Sequence, residues 1–304
     1  VIEVQQGRLT LGNGTSSGRF EVAAQADLNF AGNFSWNSGT TFAGARSFRV
    51  DPVEPCCNVA ANTDLLFPNL TLGQHGVIEV QQGRLTLGNG TSSGTIRLAA
   101  RTELNFAGNF RLNAGANFAG NGVFRVSSAT PQFATPQLIV SRGADVTFPN
   151  LEVASGAALS VLGKLRSPGG ITNRGTLSGT GTIIGNVVNI GIIRPGDSPG
   201  ILTIDGNLTQ TDAGLLELEI GGVTAGAQYD QLKVTGLATL AGRVEIVLVN
   251  AFSPQPADRL QVLDLAARTG SLTPTSGSFK LSPSGGLRIP RRRATLCRHV
   301  LFCR

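Results

Sequence analysis

The sequence predicts an all-β protein: a right-handed parallel β-helix (β-solenoid) with a β-rich C-terminal cap region. Three observations carry that expectation. Residues 1–18, VIEVQQGRLTLGNGTSSG, return letter for letter as residues 77–94. The composition, with 40 Gly, no Met, one Trp, one Tyr and three Lys against 22 Arg, favours strands and turns over helices, which avoid so much glycine. Apolar and polar residues alternate in short runs, the two-residue period of a strand with one face buried.

Beyond the identical eighteen residues the two copies stay aligned. Residues 20–50 match residues 96–126 at 17 of 31 positions. Phe20, Glu21 and Val22 become Ile96, Arg97 and Leu98, so the flanking positions stay apolar while the middle one reverses its charge. That places the outer two inward and the middle one in water. Leu28, Asn29 and Phe30 alternate in the same way as Leu104, Asn105 and Phe106, and Leu9, Leu11, Leu85 and Leu87 read as core. Twelve of the 15 Phe precede residue 150, which predicts inward Phe stacks; turn residues such as Asn13 and Asn89 are expected to stack as amide ladders.

A further partial copy repeats Phe67-Pro68-Asn69-Leu70 as Phe148-Pro149-Asn150-Leu151, at an offset of 81 instead of 76. The length change falls in segments holding Asp51, Pro52, Pro55, Cys56 and Cys57 in one copy and Pro131 and Pro136 in the other, which read as outer loops. A 76-residue unit suits three or four turns of roughly 19 to 25 residues. Residues 1–193 are therefore read as solenoid repeats, with copies at 1–76 and 77–152 and a partial copy after. An antiparallel sandwich also fits the turn spacing, but internal repetition favours stacked rungs. Val1 is not Met and falls inside the repeated unit, so the sequence reads as a fragment whose first rung is an exposed, uncapped edge.

Past residue 150 Phe gives way to Gly, Thr and Ile, with apolar positions at Leu159, Val161, Leu177, Ile183, Val187, Ile190 and Ile192. RPGDSPG at 194–200 introduces longer alternating runs at 216–220, 232–234 and 244–249, so 194–283 is read as the end of the solenoid or a β-rich cap. Residues 284–304 read as a basic tail, expected to be disordered.

That tail decides what the net charge of +6 means. Arg288, Arg291, Arg292, Arg293, Arg298 and Arg304 lie there without an acid, and the remainder holds 19 basic and 19 acidic residues. A neutral body argues against a nucleic-acid partner. Four cysteines, Cys56, Cys57, Cys297 and Cys303, are too few for a disulfide scaffold, and pairing between the two groups is open. No signal peptide opens the sequence, and no apolar run approaches the roughly twenty residues that span a bilayer.

Several stretches imitate catalytic or binding motifs. Gly14-Thr15-Ser16-Ser17-Gly18, its duplicate at Gly90 to Gly94, and Gly196-Asp197-Ser198-Pro199-Gly200 fit the Gly-x-Ser-x-Gly elbow. That motif needs a helix after the serine and a following N–H for the oxyanion hole. Pro199 has no N–H, and the available bases are His75 and His299. Gly12-Asn13-Gly14 with Gly18, and Gly179-Thr180-Gly181 with Gly185, lead into strand rather than the helix that a nucleotide phosphate requires.

Glu217 and Glu219 share an outward face about 7 Å apart, as a pair of sugar-cleaving carboxylates would, though solvated acids on an edge strand are the simpler reading. Asp197, Asp205, Asp212 and Asp230 fit no calcium-loop spacing. Cys297, His299 and Cys303 lack the spacing of a zinc module. Trp36, replaced by Leu112 in the second copy, reads as core rather than as a sugar platform, with Ser35 and Arg111 outward.

From residue 165 to about 272, GTLSGTGTIIGNVVNIGIIRPGDSPGILTIDGNLTQTDAGLLELEIGG and YDQLKVTGLATLAGRVEIVLVNAF resemble the passenger regions of bacterial autotransporters and related large surface adhesins. The Gly-x-Gly-x-Ile-x-Gly-Asn run, the Pro-Gly-x-Ser-Pro-Gly-x-Leu turn and the Tyr-Asp-x-Leu strand carry the match, and NSGTTFAG at 37–44 looks like the repeats of the same class. The resemblance implies a right-handed β-helix displayed outside the cell as an adhesin or stalk. An entire autotransporter adds a signal peptide and an outer-membrane barrel, which these 304 residues do not contain.

The expectation is thus an extracellular structural or adhesive segment of a bacterial surface or secreted protein, not an enzyme, with no catalytic, cofactor or metal site. Its expected partners are host-cell or matrix glycans or proteins. The alternative is a carbohydrate-active β-helix enzyme, a polysaccharide lyase or glycoside hydrolase. It would need clustered basic and acidic side chains in an outer groove, where the sequence offers few candidates beyond Lys164, Lys233, Lys280 and His75. Ice binding would need a flat array of outward Thr, and Thr176, Thr180 and Thr182 are too few.

Overall fold

A computed structural model describes residues 1–44, 48–50, 57–60, 63–128, 135–255, 258–275, 280–282 and 285–288. Among these residues there is no helix, and therefore none long and apolar enough to cross a membrane. The strands are short, mostly parallel and joined into large sheets. Parallel pairing excludes the antiparallel sandwich. The antiparallel strand pairings described here join Gly286–Arg288 to Leu260–Gln261 and to Lys280–Leu281; Gly286–Arg288 lies inside the stretch read as a basic tail. The tail beyond Arg288, with Cys297, His299 and Cys303, lies outside the described residues, as do Asp51, Pro52, Pro55, Cys56 and Pro131.

Pairing follows one rule through most of the chain: a strand lies beside the strand about three further on. Residue partners can be followed as a single column, Leu9–Leu28–Phe48–Leu70–Gly90–Phe110–Leu138 and on through Leu159–Leu177–Ile193–Leu216–Val244–Pro274. At a strand spacing of about 4.8 Å, the twelve steps of this column extend roughly 58 Å. Alternate residues point inward at each step. In Ala26–Phe30 the residues Ala26, Leu28 and Phe30 are buried while Asp27 and Asn29 are only partly so, and one apolar core runs from Val4 to Leu272.

The expected Phe stacks are present. Phe42 lies flat between Phe20 and Phe67, with ring centroids 5.2 and 4.2 Å apart. Phe118 stacks on Phe148 at 4.3 Å. Trp36 is fully buried against Phe30 and Phe67, each at 5.1 Å, and its counterpart Leu112 is equally buried. Cys57, read as part of a loop, instead opens the strand Cys57–Val59, is 2% exposed and is disulfide-bonded.

The side-chain oxygens of Asn13 and Asn89 each accept a backbone N–H, from Asn33 at 2.7 Å and Asn109 at 3.0 Å, and Asn89 lies in register beside Asn69. Asn186 and Asn207 do the same for the N–H groups of Asn207 and Leu237. A further ladder, joined side chain to side chain, is internal. In the column Val126–Val153–Asn173–Asn189–Gln210–Leu240, Asn173 donates to Asn189 and Asn189 to Gln210, both at 2.7 Å. All three side chains are buried; the two bonds satisfy the Asn189 and Gln210 oxygens, which water cannot reach, while Asn173 Oδ1 and Gln210 Nε2 have no hydrogen-bond partner.

The duplicated unit does not correspond to a whole number of three-strand pairing intervals. From Ile2–Val4 to Val77–Val80 there are eleven strand positions, counting the long Thr63–Leu72 as two, and eleven is not a multiple of three. Leu9 lies in the column that runs through Leu28, Phe48 and Leu70 to Gly90, whereas its copy Leu85 lies in the adjacent one, between Leu65 and Leu104. The same eighteen residues therefore occupy different faces in the two copies.

Two substitutions test this packing. Phe67→Ala should cost about 3–5 kcal/mol, as for other buried aromatic truncations, read by denaturant unfolding through the fluorescence of Trp36, the chain's only Trp. Asn189→Leu should cost about 1–3 kcal/mol by leaving the Gln210 carbonyl oxygen without its donor. Replacing Asn173, Asn189 and Gln210 together by Val, Val and Leu should restore most of that loss, because no buried side-chain amide is then left unpaired.

Candidate functional site

The RPGDSPG turn forms a cleft lined by several charged side chains. Strand Ile192–Pro195 lies parallel to Leu215–Ile220, whose alternation buries Leu216, Leu218 and Ile220 and turns Glu217 and Glu219 outward. Residues 196–200 overhang that outward face. Together with Arg194 they enclose a cleft of about 220 Å³ lined by Arg194, Asp197, Ser198, Glu217, Glu219 and Asp230. The strand is not an edge, since Arg243–Leu248 pairs along its other side; the expectation of two solvated acids on an edge is corrected accordingly.

The local sequence dictates this turn. Gly196 exchanges backbone hydrogen bonds with Gly179, at 2.8 and 3.1 Å. Its φ is +101°, and a Cβ there would fall 2.4 Å from the Asp230 carboxylate and 2.5 Å from the Gly200 nitrogen, so only glycine fits. Ser198 also has a positive φ, 66°, and the Ser198–Pro199 peptide is cis.

Asp230 fastens the loop. It is 2% exposed, and its two oxygens accept the backbone N–H groups of Gly200 and Glu219, each at 2.8 Å. Burial pushes its carboxyl up to about 6. The two backbone donors oppose that shift, while the neighbouring Glu219 and Glu217 carboxylates add to it.

The remaining charged groups are engaged with one another. Arg194 forks onto Glu217, with Nε 2.7 Å from one oxygen and Nη2 2.9 Å from the other. Ser198 Oγ donates to Glu219 at 2.6 Å. Arg142 reaches Asp197 at 3.5 Å with both side chains mostly in water, a pair of little energetic weight.

As a nucleophile elbow the turn fails on three counts: the hydroxyl is held by a carboxylate rather than an imidazole, Pro199 has no N–H, and the Gly200 N–H is already committed to Asp230. In the other two elbow matches Ser16 and Ser92 accept hydrogen bonds from the backbone N–H of Gly18 and Gly94, and Ser92 is wholly buried. His75 sits in an exposed turn on another part of the chain.

Elsewhere the outward face carries cross-strand ion pairs. Glu79 meets Arg97 at 3.1 Å across the register that pairs them. Glu152 meets Arg125 at 2.9 Å and Arg174 at 3.6 Å beside a second hollow of about 270 Å³. Asp145 accepts a fork from Arg166, at 2.8 and 2.9 Å, and that hydrogen bonding holds its carboxyl below the usual carboxylate range. Among the described residues no group of three or more His, Cys, Asp or Glu is placed to hold a metal ion.

The sequence singles out Ser198, Glu217 and Glu219, and the structure brings them together. Arg194 and Asp230 are visible in the sequence only as parts of the RPGDSPG stretch and of Tyr-Asp-x-Leu; nothing there marks either as facing Glu217 and Glu219. No protein-family profile matches the chain, and no curated protein matches it significantly.

Asp230 makes a signed prediction. The folded state holds this proton more tightly than the ordinary carboxyl at 3.8, so its stabilising contribution is full below about pH 4 and is lost as pH rises through 6. The stability advantage of the wild type over Asp230→Asn should be largest near pH 4 and shrink toward pH 7, read as melting temperatures by circular dichroism. An advantage that grows with pH would mean that the two N–H donors hold the carboxylate ionised instead.

Proposed function

We propose that this chain is a right-handed parallel β-helix segment of an extracellular bacterial surface or secreted protein, akin to an autotransporter passenger, acting as an adhesive or structural rod. The observation that supports it most is the column of thirteen in-register residues from Leu9 to Pro274. A stack whose strands recur in register at every third position is what a solenoid requires. Handedness follows from the strong right-handed preference of parallel strand–crossover–strand connections. In this reading the function is geometric. A stiff rod presents rows of outward side chains, and many weak contacts to host-cell or matrix glycans or proteins sum through multivalency.

One observation favours a second reading, a carbohydrate-active enzyme: carboxylates and Arg194 converge in the cleft under the RPGDSPG turn. Against it, Glu217 is paired with Arg194, Glu219 accepts from Ser198, and Asp230 is held by two backbone donors. These groups hold the turn in place and leave no free acid–base pair aimed at a sugar.

Glycan arrays and host-cell binding, run with the chain and with a form lacking residues 289–304, should show saturable binding that survives loss of those residues. Polysaccharide incubations should release no new sugar ends. Release of such ends, abolished by Glu219→Gln, would replace the adhesive reading with the enzymatic one, and no binding to any glycan or cell would reduce the role to a stalk.

A further inference from the structure

The outward side of the middle turns carries a ladder of charges that ends one anion short. Arg84 meets Glu103 at 3.5 Å, Glu103 meets Arg125 at 4.0 Å, Arg125 meets Glu152 at 2.9 Å and Glu152 meets Arg174 at 3.6 Å. The signs alternate, so three cations face two anions. Arg174 is the last of them: its side chain is 51% exposed, and its one ion pair among the described residues is the long contact to Glu152. Glu152 already accepts the shorter bond from Arg125. In the next turn the position beside Arg174 belongs to Ile190, because Asn173 lies on Asn189, and an apolar side chain cannot answer the charge.

The end of this ladder borders a hollow. Val123, Asn150, Gly170 and Asn186 stand two residues before Arg125, Glu152, Thr172 and Val188, which lie on successive paired strands. Gly170 is therefore a gap in a row of side chains. The backbone fixes that gap: Gly170 has φ +88°, and a Cβ on Gly169 would fall 2.5 Å from the Pro149 carbonyl oxygen, so neither position takes a side chain without strain. The opening that results, about 270 Å³, is bordered by Val123, Asn150, Glu152, Thr172 and Arg174. Ligand pockets start near about 300 Å³, so this one suits a single ring rather than a large ligand.

Its borders have the chemistry of a sugar site. Val123 is 42% exposed and forms an apolar wall. Asn150 donates through Nδ2 to the Gly122 carbonyl at 3.4 Å, which leaves its Oδ1 as an acceptor for a hydroxyl. Thr172 adds a hydroxyl of its own, and Arg174 a planar fork of donors that matches a carboxylate.

We propose that this hollow binds a single carboxylated sugar, with its anion on Arg174 and its ring over Gly169 and Gly170 against Val123. The ligand's carboxylate is the third anion of the ladder. The site deepens the adhesive reading and rests on it for the source of the sugar, the acidic end of a host-cell or matrix glycan.

The test is an NMR titration of the isotope-labelled full chain with sialyllactose, glucuronic acid, lactose and acetate. The carboxylated sugars should shift the amide signals of Gly169, Gly170 and Thr172 saturably, and the tighter of the two identifies the source. Lactose lacks the anion and acetate lacks the ring, so each should bind about tenfold more weakly or worse. Arg174→Gln should weaken the tighter sugar by about tenfold and leave the melting temperature nearly unchanged, since its ion pair is long and exposed. Thr172→Tyr, which fills the hollow with a ring, should abolish binding. Arg166→Gln, at an exposed arginine outside the ladder, should not alter it.

Lactose or acetate binding as tightly as the better carboxylated sugar would overturn the proposal, as would sugar binding that Arg174→Gln leaves intact. No shift at these amides, with host-cell binding preserved, would remove this site and leave the adhesive rod standing. Saturable shifts without any host-cell binding would keep the site and remove the adhesive reading.

Discussion

The structure depends on register between parallel strands. Side chains alternate with a period of two, so a slip of one residue between neighbouring strands would exchange the inward and outward sets of a whole strand. Along the column from Leu9 to Pro274, apolar residues or glycine meet at every step. Backbone hydrogen bonding alone does not choose among registers. The stacked Phe rings of the first half and the smaller Leu, Ile and Val of the second do, because an inward polar residue at any step would lose its water without gaining a partner.

Outward residues reinforce the choice. Glu79 faces Arg97, Arg84 faces Glu103, and Arg125 lies between Glu103 and Glu152. Each exposed pair contributes little to stability, but a shifted register would set like charges together or strand them beside apolar groups. The inner ladder of Asn173, Asn189 and Gln210 is the same device in a dry place. There the penalty for misalignment is larger, since three amides would each lose a neighbour.

Much of this was legible in the sequence. The duplication, the two-residue alternation, the inward Phe residues and the burial of Trp36 all follow from comparing one copy with the other, since a position that tolerates Trp or Leu but not charge is a core position. Three things were not. Asn173, Asn189 and Gln210 are spaced 16 and 21 residues apart, so nothing local marks them as one stack until the pairing is known. Asp230 lies 30 residues from Gly200 and looks like any acid at a strand start. Cys57 is adjacent to prolines that suggest a loop, but its neighbours Asn58 and Val59 continue an alternating strand. The first two misses are long-range pairings, which alternation within a single strand does not encode.

The mismatch between the 76-residue unit and the three-strand pairing interval shows what a strand in this stack recognises. If each face had its own shape, a copied unit entering eleven positions on would meet the wrong face and fail. It does not: Leu85 packs between Leu65 and Leu104 as completely as Leu28 does between Leu9 and Phe48. What a strand requires is a parallel backbone to bond and inward residues of compatible size, and any face that offers both will accept it. A duplication is then free of the need to be a multiple of the three-strand pairing interval. The RPGDSPG turn obeys the opposite logic. Its fit depends on Gly196, Asp230 and Glu219 meeting from three separate segments, so it is held by particular side chains rather than by a repeating surface. A change there would be felt locally, whereas a change of register would be carried into every turn that follows.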